Sequence, residues 1–305
     1  MHFNRRILLR SLAASVAATA LRPAASFSQA SPLTKPIPSS GEALPLVGLG
    51  SWTTFNVGDD SMARDNCAEV MRAFFAQGGR MIDSSPMYGS AQEVIGSALK
   101  KLGETVNVFS ADKVWTSSGA DGPAQIEESR KHWGVPRFDL LQIHNLLAWE
   151  AHLETLFAMK EAGKLRCVGI TTSHGRRHRE MEEILRAHPL DFIQVTYNVL
   201  DRGVEQRILP LAREKRLAVI ANRPFQQGAL IDSLRGEALP EWAGEIGAKN
   251  WAQFLLKFIV SHPAVTCAIP ATSKVRHVRE NMDAASGLLP DEKMRRKMIA
   301  YVEEV

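Results

Sequence analysis

The sequence predicts a single (β/α)₈ barrel, and three features carry that expectation. Short apolar runs alternate with longer amphipathic stretches along most of the chain, the runs number eight, and the roughly 275 residues left after a distinct N-terminal segment suit one barrel. The runs occupy 46–51, 80–84, 107–115, 138–144, 165–172, 192–197, 217–222 and 265–270. Between them, apolar residues recur at helical spacing over about 62–77, 91–101, 122–133, 150–162, 176–187, 201–215 and 248–261, with two further helices after 277. Strands that alternate with helices make a parallel sheet, and eight of them can close on themselves. The competing architecture, an open doubly wound sheet, needs a glycine-rich phosphate loop and a helix directly after its first strand. Gly48-Leu49-Gly50-Ser51-Trp52 lacks the third glycine and has no helical pattern behind it, so the barrel is preferred. A longer glycine-containing stretch over 226–247 follows the seventh strand and is expected to act as a lid.

Composition is that of an ordinary globular protein, 45% hydrophobic and 23% charged. The net charge of +4 suggests an acidic partner such as nucleic acid only until its location is considered. The first 30 residues hold Arg5, Arg6, Arg10 and Arg22 and no acidic residue or lysine; the 37 basic residues less those four leave 33 against 33 acidic ones. Without the leader there is no electrostatic case for nucleic acid. The leader itself runs from a charged start through a short Ala/Leu stretch to Ser28-Gln29-Ala30, the layout of a signal peptide. Its Arg5-Arg6-Ile7-Leu8-Leu9-Arg10 resembles the twin-arginine type, which implies export of the folded protein by that machinery to the periplasm or beyond. The apolar stretch is broken by Arg10 and ends at Arg22-Pro23, too short to span a bilayer. The expected organisation is therefore a leader over 1–30, a Pro/Ser/Gly-rich linker over 31–44 and a barrel over 45–305. Cys67, Cys167 and Cys267 are an odd number without close spacing, which suits small buried hydrophobes better than a disulfide framework or a metal site.

Barrel enzymes place their chemistry at the C-terminal strand ends. Here the second strand ends in Asp83-Ser84-Ser85-Pro86-Met87-Tyr88-Gly89, the third in Lys113-Val114-Trp115 and the fourth in His144-Asn145. A glycoside hydrolase would need two carboxylates across the mouth, and only Asp83 is clearly placed.

Asp83, Tyr88-Gly89, Lys113-Val114-Trp115 and Asp139-Leu140-Leu141-Gln142-Ile143-His144, in that order and each in or at the end of an expected strand, resemble the aldo-keto reductases over about 46–281. The resemblance implies NADPH-dependent reduction of an aldehyde or ketone, with NADH the weaker alternative. Tyr88 would protonate the developing alkoxide. A free phenol with a pKa near 10 is a poor acid at neutral pH, so it needs a cation, Lys113, held by Asp83. His144 would orient the carbonyl oxygen. Gln194, Thr171 and Thr172 stand where relatives hold the nicotinamide amide, although Thr172 replaces an amide side chain. Asn222-Arg223 stands where many relatives stack an aromatic on the ring. Ser273, Lys274, His277, Glu280 and Asn281 resemble the clamp for the adenosine 2′-phosphate at a helix start. Trp52 and Trp115 would line the substrate pocket. Short loops after His144 and at the C-terminus imply an open pocket and name no substrate. The second reading, of a different class, is a nicotinamide-binding sensor on the same scaffold, favoured by the unusual residues at strands five and seven.

Overall fold

A computed structural model describes residues 31–103 and 106–305; the expected leader lies outside the described residues. Among the described residues ten strands and ten α-helices follow one another in near-regular alternation. The barrel strands are β3 (Leu49–Gly50), β4 (Met81–Asp83), β5 (Phe109–Val114), β6 (Phe138–Ile143), β7 (Leu165–Thr171), β8 (Phe192–Thr196), β9 (Ala218–Asn222) and β10 (Cys267–Ala268). Each pairs in parallel with the next in chain order. Parallel bridges Val47↔Ala268 and Gly50↔Ala271 join the last strand to the first, so the sheet closes into the expected eight-stranded barrel. Gly50 permits that closure: a Cβ there would stand 2.9 Å from the Ile269 carbonyl oxygen.

Alternation along the strands explains the two cores. Inward side chains such as Met81, Phe109, Ala111, Leu140, Phe192 and Ile220 fill the barrel. Outward ones meet the helices α1 (Ser61–Ala76), α2 (Ala91–Leu102), α3 (Gly122–Trp133), α4 (Trp149–Glu161), α5 (His178–Ala187), α6 (Ile208–Glu214) and α8 (Trp251–Ser261) in one continuous outer core. α9 (Val275–Asp283) and α10 (Glu292–Glu304) follow the last strand.

The expectation of a linker over 31–44 is corrected by this structure. β1 (Thr34–Pro36) and β2 (Ala43–Pro45) pair as an antiparallel hairpin. Ile37 and Leu44 are fully buried against the inward residues, so the hairpin plugs the N-terminal end of the barrel. Lys35 ties it down by donating to the carbonyls of Val260, His262 and Val265 at 2.6–2.8 Å, and burial pushes its ammonium down to about 8. The stretch over 226–247 forms a short helix α7 (Ala229–Ser233) flanked by 3-10 turns, and several of its residues border the cavity described next. Among the described residues no helix is long and apolar enough to cross a membrane. All three cysteines are free and buried, with burial raising Cys67 to about 11 and Cys167 to about 12.

Candidate active site

A cavity of about 900 Å³ opens at the C-terminal mouth. Its lining includes Gly50, Asp83, His144, Thr171, Gln194, Asn222 and Ile269, each at or near a strand end, so it is the product of barrel closure rather than of one loop.

Four of the expected residues converge beneath and beside it. Asp83 closes β4, and the chain then makes a 3-10 turn over Pro86–Tyr88. Ser85 caps the turn by accepting the Met87 N–H at 3.2 Å, and Pro86 supplies a preset φ at its first position. Gly89, at φ 59°, then lets the chain reverse; a Cβ there would stand 2.2 Å from Asn56 Oδ1. This holds Tyr88, half-buried, at the cavity wall.

Lys113, fully buried in β5, donates from Nζ to Asp83 Oδ2 at 2.6 Å and to the Ser84 carbonyl at 2.8 Å. Its Nζ lies 5.3 Å from the centroid of the Tyr88 ring. Asp83 Oδ1 in turn receives Nε2 of Gln194 at 2.8 Å and of Gln142 at 3.4 Å. Burial opposes a charge on Lys113, but the Asp83 carboxylate outweighs it and holds the ammonium above its ordinary pKa. Burial pushes the Tyr88 phenol up, with Lys113 pulling against that rise, so the phenol keeps its proton at neutral pH. A buried ammonium fixed beside a protonated phenol is an arrangement able to deliver a proton and stabilise the phenolate left behind.

His144 begins a 3-10 turn after β6, buried, with its ring edge-on to Tyr88 at 5.7 Å between centroids and 90° between planes. Its Nδ1 lies 2.8 Å from Ser85 Oγ. Burial first, and the nearby Lys113 second, push the imidazole down to about 3, so it is neutral at neutral pH. The following Asn145, Leu146 and Ala148 all have positive φ. Arg177 clasps that loop, donating to the carbonyls of Asn145 at 2.7 Å and Leu146 at 2.9 Å. Asp139, at the other end of β6, is occupied by Ser110 and Arg166 and lies away from the mouth.

The residues expected to meet the cofactor are placed less uniformly. Gln194 and Asn222 line the cavity, yet their side chains also serve the scaffold: Gln194 donates to Asp83, and Asn222 Nδ2 donates to the Thr172 carbonyl at 3.0 Å. Thr171 lines it too, its hydroxyl accepting the Asn145 N–H at 3.5 Å. Thr172 is outside the lining, its Oγ1 buried without a partner among the described residues. Arg223 lines the wall at φ 52°, and its partial burial lowers the guanidinium pKa. At the far end His277, Glu280 and Asn281 line the cavity from α9. Ser273 and Lys274 do not: the Ser273 carbonyl accepts from Asn66 Nδ2 at 2.8 Å, and Lys274 is the N-cap residue of α9. That cap position makes no side-chain hydrogen bond, which leaves the first N–H groups of the helix free for an anion. Trp52 lines the mouth and Trp115 stands outside it, its backbone bracketed by Gln125.

Several lining residues escaped the sequence reading: Met87, His174, Arg176, Phe225, Trp251 and Arg276. His174, Arg176 and Phe225 sit on loops, where no periodicity marks direction. Arg276 had a readable signal, a second cation in the first turn of α9.

A closed eight-stranded barrel with an aspartate, tyrosine, lysine and histidine gathered at its C-terminal mouth defines a class of barrel oxidoreductases. The aldo/keto reductase family pattern matches residues 46–300, and the chain belongs to that family. It is 30% identical over 257 residues to the methylglyoxal reductase YeaE of Escherichia coli, covering 81% of this chain and 88% of that one. It is 26% identical to the NADH-specific methylglyoxal reductase of E. coli over 251 residues, covering 72% and 74%. Among solved structures, an aldo-keto reductase of Klebsiella pneumoniae in complex with NADPH superposes with a TM-score of 0.71 at 25% identity, covering 90% of this chain and 94% of that one.

Proposed function

We propose that the protein reduces an aldehyde or ketone to the alcohol with NADPH. The observation that carries this reading is the Asp83–Lys113–Tyr88 arrangement beside a neutral His144, at one end of a cavity long enough to reach the first turn of α9. A dinucleotide fits the donor set: amide side chains of Gln194 and Asn222 midway, and Arg276, His277 and the uncapped amides of α9 at the far end. When bound, the nicotinamide supplies the hydride for the carbonyl carbon.

The chain's own residues do the rest. Tyr88 gives its proton to the carbonyl oxygen as negative charge builds there. Lys113 stabilises the resulting phenolate, and Asp83 keeps Lys113 in place and charged. His144, neutral, binds and orients the carbonyl oxygen. Solvent returns the proton to Tyr88 after product leaves. Arg276 and His277 favour NADPH over NADH by meeting the 2′-phosphate. The Arg5-Arg6 leader further suggests that the folded, cofactor-loaded protein is exported by the twin-arginine machinery.

The test is NADPH oxidation by the purified protein across small aldehydes, ketones and quinones, beginning with methylglyoxal because two relatives reduce it. Oxidation that Tyr88→Phe abolishes, with NADPH affinity retained, supports the reading. Tight NADPH binding without turnover favours the sensor instead, and absence of binding defeats both.

A further inference from the structure

Ser85 is fully buried, and nothing in the proton transfer described above uses its hydroxyl. Among the described residues Oγ has two partners: the Met87 N–H, which donates to it at 3.2 Å, and His144 Nδ1 at 2.8 Å. A buried hydroxyl hydrogen needs an acceptor, and Nδ1 is the one within reach. A nitrogen that accepts carries no hydrogen. Because burial and Lys113 keep the ring neutral, its single proton then sits on Nε2, on the far side of the ring from Ser85.

We propose that Ser85 is a positioning residue that locks His144 in the Nε2–H tautomer, so that the imidazole meets a substrate carbonyl oxygen as a hydrogen-bond donor. The inference rests on the reductase reading for its purpose but not for its geometry. An oxygen that gains negative charge is stabilised by a donor and repelled by a lone pair, so the tautomer decides whether His144 helps or hinders. Ser85 and Tyr88 lie in one short turn, from Ser85 at its cap to Tyr88 at its last residue. The proton donor and the group that orients the substrate are thus registered to each other through that turn, which also fits the perpendicular rings of Tyr88 and His144.

The test is ¹⁵N NMR of histidine-labelled protein without substrate, with His144 assigned by its disappearance in His144→Gln. The expected spectrum shows Nδ1 as an unprotonated nitrogen and Nε2 as a protonated one. In Ser85→Ala the two nitrogens average toward mixed tautomers, and kcat falls about tenfold, the scale of one neutral hydrogen bond, with NADPH affinity unchanged. A protonated Nδ1 in the unmodified protein overturns the proposal, as does Ser85→Ala with an unaltered His144 spectrum and full kcat. If Ser85→Ala fails to fold, the spectrum of the unmodified protein still decides. Failure of the reductase reading shows separately, as no turnover by the unmodified protein with the expected tautomer intact.

Discussion

Lys113→Met removes the buried cation and keeps the length of its side chain. Two consequences follow from distances in the structure. The ammonium lies 5.3 Å from the Tyr88 ring centroid, and at an effective dielectric of about 20 a charge at that separation stabilises the phenolate by ~3 kcal/mol. Its loss makes Tyr88 a weaker acid, and ~3 kcal/mol of lost stabilisation corresponds to a fall in kcat of ~100-fold. The second consequence is structural: Asp83 loses its 2.6 Å partner and is left buried, a cost of roughly 3 kcal/mol at the lower end of the range for broken buried pairs. The lower end applies because Gln194 and Gln142 still donate to Asp83. The double variant Asp83→Asn with Lys113→Met separates the two. With no charge left to strand, most of the stability returns, whereas kcat stays ~100-fold down. Urea denaturation and single-turnover NADPH oxidation of both variants and the unmodified protein measure this. Recovery of turnover along with stability in the double variant would refute the electrostatic role of Lys113.

Burial raises Asp112, between β5 and α2, from 3.8 to about 7. The folded state therefore keeps a proton that the unfolded chain loses near pH 4, and stability falls as pH rises from about 4 to about 7, then levels, by at most ~4 kcal/mol. Asp112→Asn removes that slope in denaturant titrations, and an unchanged slope would show that Asp112 ionises normally. Gly96→Ala places a Cβ 1.8 Å from the His132 carbonyl oxygen, where α2 meets the end of α3, and is expected to cost ~3 kcal/mol. A melting temperature within a degree of the unmodified protein would contradict that contact. Arg276→Ala is expected to weaken NADPH about tenfold and NADH hardly at all. Equal losses in fluorescence titrations would remove Arg276 from the phosphate site.

Much of the barrel was legible because its strands are buried on both faces and its helices on one, which writes two distinct periods into the chain. The departures have local causes. The helix expected over 201–215 is broken into a 3-10 turn over Gly203–Glu205 and the short α6 (Ile208–Glu214), because Asn198 Oδ1 takes the N–H groups of Leu200 and Asp201 and turns the chain, while Pro210 fits only an early helical position. The hairpin of β1 and β2 was hidden by linker-like composition; its only trace was the pair Ile37 and Leu44, whose burial depends on a barrel floor far away in sequence. Strand-end positions made Asp83, Lys113 and His144 candidates, but it was the order and spacing of all four with Tyr88, which resemble the aldo-keto reductase pattern, that made the set visible. The double duty of Gln194 and the Ser85–His144 contact were not visible, since each joins strands or turns that only barrel closure brings together.

Direct transfer of hydride to a carbonyl carbon, with Tyr88 as the proton source, is the central claim, and isotopic labelling tests it most directly. With methylglyoxal and NADPH deuterated at C4 of the nicotinamide, the product alcohol is expected to carry deuterium on its new C–H bond, and Tyr88→Phe is expected to form none of it. Product without deuterium from either C4 position, or undiminished labelled product from Tyr88→Phe, would contradict the account.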